Sequence, residues 1–182
     1  MPKKLKGPRK KPARSRGQPK AGARKKAIAG PEKRVAVIGI GNPLMKDDGA
    51  GLSVIDLLSG MPKGVLIVDA GTGGMGLLHI LNDLDAAVIV DAVDFGGEPG
   101  EIRVLSHKEA VSTKKLPGLS LHEGDILKII EMSRRLGECP EMILICAIQP
   151  AEIRAGIGLT ENVEKAMPRL ARAVKETVKK MR

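Results

Sequence analysis

The chain has 182 residues with 31 Lys/Arg against 21 Asp/Glu, a formal net charge of +10, no Trp or Tyr and a single Phe. No apolar run approaches the roughly 20 residues of a membrane span, and Cys139 and Cys146 have no metal-pair spacing. These features exclude a helical membrane protein and a disulfide-framed secreted domain, and predict a cytoplasmic protein with two reduced, buried thiols.

The charge is unevenly spread. The first 34 residues hold 14 Lys/Arg and one acid, Glu32, with prolines at 2, 8, 12, 19 and 31. That segment carries +13 and Val35 to Arg182 carries −3, so the basic character belongs to the tail. It has too little apolar surface to offset ordering entropy, and residues 1–34 are predicted to be a disordered basic tail. It lacks both the apolar centre of a signal peptide and any aromatic residue for base stacking. This argues against a sequence-specific nucleic-acid reader and leaves an incidental or solubilising extension as the expectation.

Residues 35–182 are one domain's worth of chain. Arg34 to Ile40 reads as a strand buried on both faces, because its apolar run does not alternate. It rises into Gly39, Gly41 and Pro43, then two carboxylates, Asp47 and Asp48, then Gly49 and Gly51. A helix is expected from Asp48 to Leu58. The order then reads strand (Val65 to Asp69), helix (Met75 to Leu81), strand (Ala86 to Asp91), short strand (Glu101 to Leu105), helix (Leu121 to Leu136), strand (Met142 to Ile148) and helix (Glu161 to Met181). In the last helix Val163, Met167, Leu170, Val174, Val178 and Met181 recur at steps of three and four, an apolar stripe facing a core. Strands alternating with helices predict an α/β fold, a three-layer sandwich with a mainly parallel central sheet. The turn at Gly96-Gly97-Glu98-Pro99-Gly100 makes Glu101 to Leu105 an antiparallel edge strand.

Polar residues gather at strand ends, where open α/β sheets keep their sites. Asp48 follows the first strand, while Asp69 and Asp91 end buried strands. Either later aspartate could equally accept loop amide bonds. Three histidines compete as partners. His122 follows Ser120 in Ser-Leu-His-Glu123, a capping box that places it in a first helical turn, where the local positive potential favours a neutral, ligating imidazole. His107 lies in a similar box, Ser106-His-Lys-Glu109, and His79 falls within a helical pattern. Spacing alone does not rank them.

The opening loop excludes two common nucleotide motifs. The third glycine of a dinucleotide fingerprint is replaced by Leu44, and no Gly-Lys-Ser/Thr follows. No Gly-x-Ser-x-Gly elbow, His-Glu-x-x-His helix or Cys beside a His is present either. In contrast, Gly41-Asn-Pro-Leu-Met-Lys-Asp-Asp-Gly-Ala-Gly51 closely resembles the opening motif of the hydrogenase maturation endopeptidases. Asp69-Ala-Gly-Thr-Gly-Gly-Met75, Val90-Asp-Ala-Val-Asp94, Pro99-Gly-Glu-Ile-Arg103, Ser120-Leu-His122 and Ile148-Gln-Pro150 extend the resemblance over Val35 to Arg182.

The resemblance implies an endopeptidase that removes the C-terminal extension of a nickel-loaded precursor of the nickel–iron hydrogenase large subunit. It also implies that Asp48, Asp91 and His122 form the metal and catalytic site. Nickel arrives with the substrate, and zinc or another divalent ion suits the same oxygen and nitrogen donors. The metal either identifies the mature substrate or also polarises the scissile carbonyl, and a carboxylate can serve as general base. The expected partner is that precursor, with no membrane and no nucleic acid; the oligomeric state is left open. Two alternatives use overlapping features. A non-enzymatic nickel-sensing assembly factor would need the same residues. A peptidyl-tRNA hydrolase also opens with Gly-x-Gly-Asn-Pro, but this chain lacks the Thr-Arg-His-Asn continuation.

Overall fold

The computed structural model describes residues 33–113 and 121–182, with the side chains of 111–113 and 121–125 outside that description. The basic tail before Lys33 and the capping box of Ser120 and Glu123 therefore lie outside the described residues. Five strands form one sheet: β1 (Val35–Gly39), β2 (Val65–Asp69), β3 (Ala86–Ala92), β4 (Ile102–Ser106) and β5 (Met142–Ile148), in the spatial order β2-β1-β3-β5-β4. β1 pairs in parallel with β2 and β3, and β3 with β5, while β4 runs antiparallel on the edge of β5. The helices are α1 (Ala50–Ser53), α2 (Gly76–Asn82), α3 (His107–Thr113), α4 (Leu121–Leu136) and α5 (Glu161–Met181).

The three layers follow from strand alternation. Val35, Val37, Val88 and Val90 turn to one face, where Val54, Leu58 and the α5 stripe from Val163 to Met181 cover them. Ala36, Ile38, Ala87 and Ile89 turn to the other, under Leu77 and Leu81 of α2 and Ile126, Ile129 and Ile130 of α4. β1 and β3 are buried along their whole length, as their unbroken apolar sequences require. Among the described residues no helix is long and apolar enough to cross a membrane.

Two elements differ from expectation. The helix expected from Asp48 to Leu58 is broken into a 3-10 turn (Lys46–Gly49), the four residues of α1 and a second 3-10 turn (Ile55–Leu57). Gly49 and Gly51 weaken a helix here, and the Ser53 hydroxyl donates back to the Gly49 carbonyl at 3.0 Å. α3 is a helix where no helical period is expected, because its seven residues carry too few apolar positions to show one. Its capping box is nevertheless formed: Ser106 N–H donates to Glu109 Oε2 at 2.7 Å, and Glu109 N–H to Ser106 Oγ at 3.3 Å.

The chain leaves β1 for β2 on one side, then returns across β1 to place β3 on the other. The crevice above the C-terminal ends of β1 and β3 is therefore the topological switch point of the sheet, the favoured ligand position in such folds.

Candidate functional site

Both predicted carboxylates stand at that crevice. In register, Gly39 of β1 lies opposite Val90 of β3, and the Ile40 N–H continues the ladder to the Val90 carbonyl at 2.9 Å. Asp91 is the next residue of β3 and is 2% exposed. It follows Ala87 and Ile89 in the alternation, which puts it on the α2/α4 face. Asp48 comes from the 3-10 turn after β1 and is 1% exposed. Its Oδ2 accepts the Asn42 N–H at 2.8 Å, folding the carboxylate back over the end of β1.

The turn is held against the strands by close backbone approach. Gly41 has φ +146°, and a Cβ there would lie 1.8 Å from the Asp48 carbonyl oxygen. Only glycine fits both the conformation and the space.

The third predicted residue, His122, is the second residue of α4, so its first-turn placement is as expected. Its side chain is outside the described set. The helix is nevertheless aimed at the site. Its C-terminus closes with Gly137 at φ +73°, Gly137 N–H to Arg134 O at 3.1 Å and Glu138 N–H to Ser133 O at 3.0 Å. Glu141 N–H then bonds the Asp85 carbonyl at 3.1 Å, beside the start of β3. A 16-residue helix is roughly 24 Å long, about the length of a seven-residue strand at roughly 3.3 Å per residue. α4 therefore begins at the edge where β3 ends. One turn on from His122, Ile126 Cγ1 is 4.0 Å from where a Gly73 Cβ would be, with Ile40 Cγ2 at 3.5 Å from the same point. The Asp69-Ala-Gly-Thr-Gly-Gly74 loop is thus packed between the end of β1 and α4.

The other two histidines are placed elsewhere. β4 is antiparallel, so His107 directly after it sits at the opposite edge, where Ser106 pairs with Leu144. His79 is exposed on α2. Among the described residues no three His, Cys, Asp or Glu side chains gather closely enough to hold a metal ion. Neither His79 nor His107 therefore completes a trio with Asp48 and Asp91.

His107 has a structural role. Arg134 Nη1 donates to its Nδ1 at 2.9 Å, and an arginine cannot accept, so this nitrogen is unprotonated. Burial lowers its pKa from 6.5, and the Arg134 guanidinium lowers it further. A depressed folded value means the unfolded chain binds more protons in the window below 6.5. The contribution is complete above that value and is lost as pH falls through the lowered one. His107→Gln should therefore flatten the fall in urea midpoint just below pH 6.5 relative to the wild type. Parallel curves for the two proteins would refute this.

Asp47 and Gln149, both in stretches noted in the sequence, act as organisers, a role the sequence did not assign to either. Asp47 is fully buried and accepts four bonds: Ala151 N–H at 2.8 Å, Glu152 N–H at 3.0 Å, Thr160 N–H at 2.6 Å and Thr160 Oγ1–H at 2.8 Å. It clamps the opening turn to the loop before α5. Gln149 Oε1 accepts Phe95 N–H at 2.9 Å and Gly97 N–H at 3.1 Å, while Nε2 donates to Asp94 Oδ1 at 3.0 Å. It orders the loop after β3. The available signal was a Gln closing an apolar strand, since a buried polar group must find partners. Asp47→Ala should cost roughly 2–4 kcal/mol by stripping these donors of their acceptor. A melting temperature within a degree of wild type would show the clamp to be dispensable.

Of the two thiols expected to be buried, Cys139 is only half-buried and Cys146 lies in the core. Cys146 is buried in β5 with Sγ 3.8 Å from Thr177 Oγ1, and burial pushes its pKa up to about 11. At neutral pH it is a protonated core thiol.

Comparison with known proteins identifies relatives of the chain. Residues 54–177 match the family model described as hydrogenase maturation protease, a span that includes Asp91 and His122 and begins after Asp48. A hydrogenase expression/formation protein HupD of Bradyrhizobium diazoefficiens is 30% identical over 125 residues, covering 67% of this chain and 65% of that protein. The HupD of Rhodobacter capsulatus is 32% identical, with 59% of its length covered, so the chain spans less than two thirds of either relative. The hydrogenase 2 maturation protease of Escherichia coli K12 is 32% identical over 137 residues, 72% of this chain and 82% of that protein. Among solved structures, the hydrogenase maturating endopeptidase HybD from E. coli superposes with a TM-score of 0.73 at 27% identity, covering 81% of this chain and 93% of that one.

Proposed function

The chain belongs to the hydrogenase maturation protease family, and from that premise we propose that it is an endopeptidase acting on a nickel-loaded precursor of a nickel–iron hydrogenase large subunit. It removes the precursor's C-terminal extension. What supports this reading is that Asp48, in the turn after β1, and Asp91, at the end of β3, are both buried carboxylates on the strands that flank the switch point of the sheet.

In this reading Asp48, Asp91 and His122 hold the nickel that the precursor brings. Two carboxylates and an imidazole suit a borderline divalent ion, and zinc would fit the same donors. Bound there, the ion supplies charge stabilisation where negative charge develops. The Asn42 N–H bond to Asp48 and the burial of both carboxylates limit the reorganisation that accompanies the reaction. A carboxylate at this edge can take a proton from the attacking water. That water's oxygen becomes part of the new carboxylate, and the proton leaves with the amine of the released tail.

The test is a trimming assay. Purified precursor, with and without nickel, is incubated with the protein and resolved by gel and intact-mass spectrometry. Nickel-dependent loss of a short C-terminal peptide is expected. An intact precursor in a stable complex would instead identify a non-cleaving assembly factor.

A further inference from the structure

We infer that the cleft between the second 3-10 turn and α5 is a docking site for an acidic, aliphatic segment of a partner polypeptide. It lies on the α5 face of the sheet, whereas Asp91 belongs to the α2/α4 face. The site is therefore separate from the carboxylates and does not rest on the protease reading.

Leu57, Pro168, Ala171, Arg172 and Lys175 line a cleft of about 350 Å³. Leu57 comes from the 3-10 turn and is 41% exposed. The other four recur at i, i+3, i+4 and i+7 and so form one face of α5. Among the described residues Arg172 and Lys175 have no hydrogen-bond or ion-pair partner, unlike Lys165 on Glu161, Arg169 on the Gly100 carbonyl and Arg182 on that of Lys63. Asp56 beside Leu57 and Glu176 beside Lys175 are acids, yet neither pairs with these two cations. Lys175 is half-buried, the usual state of a lysine whose stem is covered while its ammonium reaches water.

Pro168 is an interior residue of the helix and is exposed. Proline at such a position removes the bond to the Glu164 carbonyl and weakens the helix, while an exposed ring adds nothing to the core. A local conflict of this kind marks a surface kept for binding. Charge is segregated as well. Lys165 to Arg182 holds seven Lys/Arg and one acid, whereas Val35 to Glu164 holds ten Lys/Arg against nineteen acids. The positive charge of the domain is concentrated on the helix that carries the cleft, which steers an acidic partner towards it.

An apolar lining under two cations selects an occupant with both characters. A bare inorganic anion makes no use of Leu57, Pro168 and Ala171. No lining residue is aromatic, so a nucleic-acid base finds no stacking surface. An aliphatic side chain flanked by Asp or Glu satisfies both, with its apolar group in the cleft and carboxylates on Arg172 and Lys175.

The test titrates the full chain into a short fluorescein-labelled peptide alternating Glu and Leu, read by fluorescence anisotropy. At roughly 0.15 M salt a Debye length of about 8 Å screens diffuse attraction to the basic tail. Saturable binding is expected, and matching Gln/Leu and all-Glu peptides should bind about tenfold more weakly. Arg172→Gln combined with Lys175→Gln should weaken the Glu/Leu peptide about tenfold, or about 1.4 kcal/mol. Leu57→Ser leaves the charge unaltered and should weaken it about threefold. Pro168→Ala should weaken it similarly while raising the melting temperature, a pair of opposite signs that a structural proline does not give. Lys63→Gln combined with Lys180→Gln removes the same charge outside the cleft and should change affinity by less than about twofold. Equal weakening by the two double variants, or an all-Glu peptide that binds as tightly, places the binding on the basic surface at large and overturns the site. Wild-type affinity in the Arg172/Lys175 double variant overturns it too, as does a wild-type protein that leaves the peptide unbound.

Discussion

Replacing Asp91 with Asn should reduce precursor trimming by at least about a thousandfold while the protein stays folded. The substitution keeps shape and volume but removes the charge from a residue 2% exposed at the end of a fully buried strand. A divalent ion provides several kcal/mol of charge stabilisation, and each 1.36 kcal/mol is tenfold in rate, so a loss on the order of a thousandfold follows from weakening its ligand set. Stability should move the other way or stay level, because a neutral amide is less costly to bury than a carboxylate. Opposite signs for activity and stability mark a site maintained for chemistry. His122→Ala should show the same loss of trimming. Trimming rates and thermal melts measured on the same preparations check both; a variant that cuts within tenfold of wild type would remove Asp91 from the site.

Gly51→Ala should destabilise the fold by roughly 3 kcal/mol or more and abolish trimming with it. A Cβ on Gly51 would lie 2.1 Å from the Ile40 carbonyl oxygen and 2.4 Å from that of Val90. Both are backbone atoms of the two central strands, and neither can swing aside as a side chain can. Val90 O already accepts the ladder bond from Ile40. The turn carrying Asp48 must lift, which separates the two carboxylates as well as costing stability. Gly76→Ala supplies the contrast. Nothing lies within 4 Å of a Cβ there, in the first turn of α2, and the change should stabilise by about 0.4–1 kcal/mol through the unfolded state. Melting curves of the two variants should flank the wild type; equal shifts would contradict the packing argument.

Strand identity was legible from unbroken apolar runs. Val65 to Asp69, Met142 to Ile148 and the helices Leu121 to Leu136 and Glu161 to Met181 have the expected limits, but Val65 to Asp69, expected to be a buried strand, is an edge strand with Leu66 and Ile67 exposed, because an apolar run does not say how many neighbours cover it. The antiparallel edge strand was legible from its preceding turn. Failures came where tertiary contact outweighs local preference. Gly49 and Gly51 are present for close approach to β1 and β3, and the same glycines break the helix that the pattern suggested. The roles of Asp47 and Asp48 could not be separated from the pair alone. They are neighbours in sequence, yet one turns to the loop before α5 and the other back to Asn42. That residues 48 and 91 both follow central strands at one edge depends on the crossover around β1, which no local spacing encodes, and the expectation that residue 122 joins them was carried by the resemblance to a known family.

The covering of the sheet has a consequence for biosynthesis. One face of β1 and β3 is roofed chiefly by α5, which ribosomes make after every strand. A nascent chain halted before Glu161 already contains Val35, Val37, Val88 and Val90, but not the stripe that shields them. Such a chain presents a bare hydrophobic sheet face, the kind of surface that chaperones bind and that self-associates when they do not. Truncation at this end should therefore lower soluble yield out of proportion to the few residues removed, even though the carboxylates of the site all lie upstream.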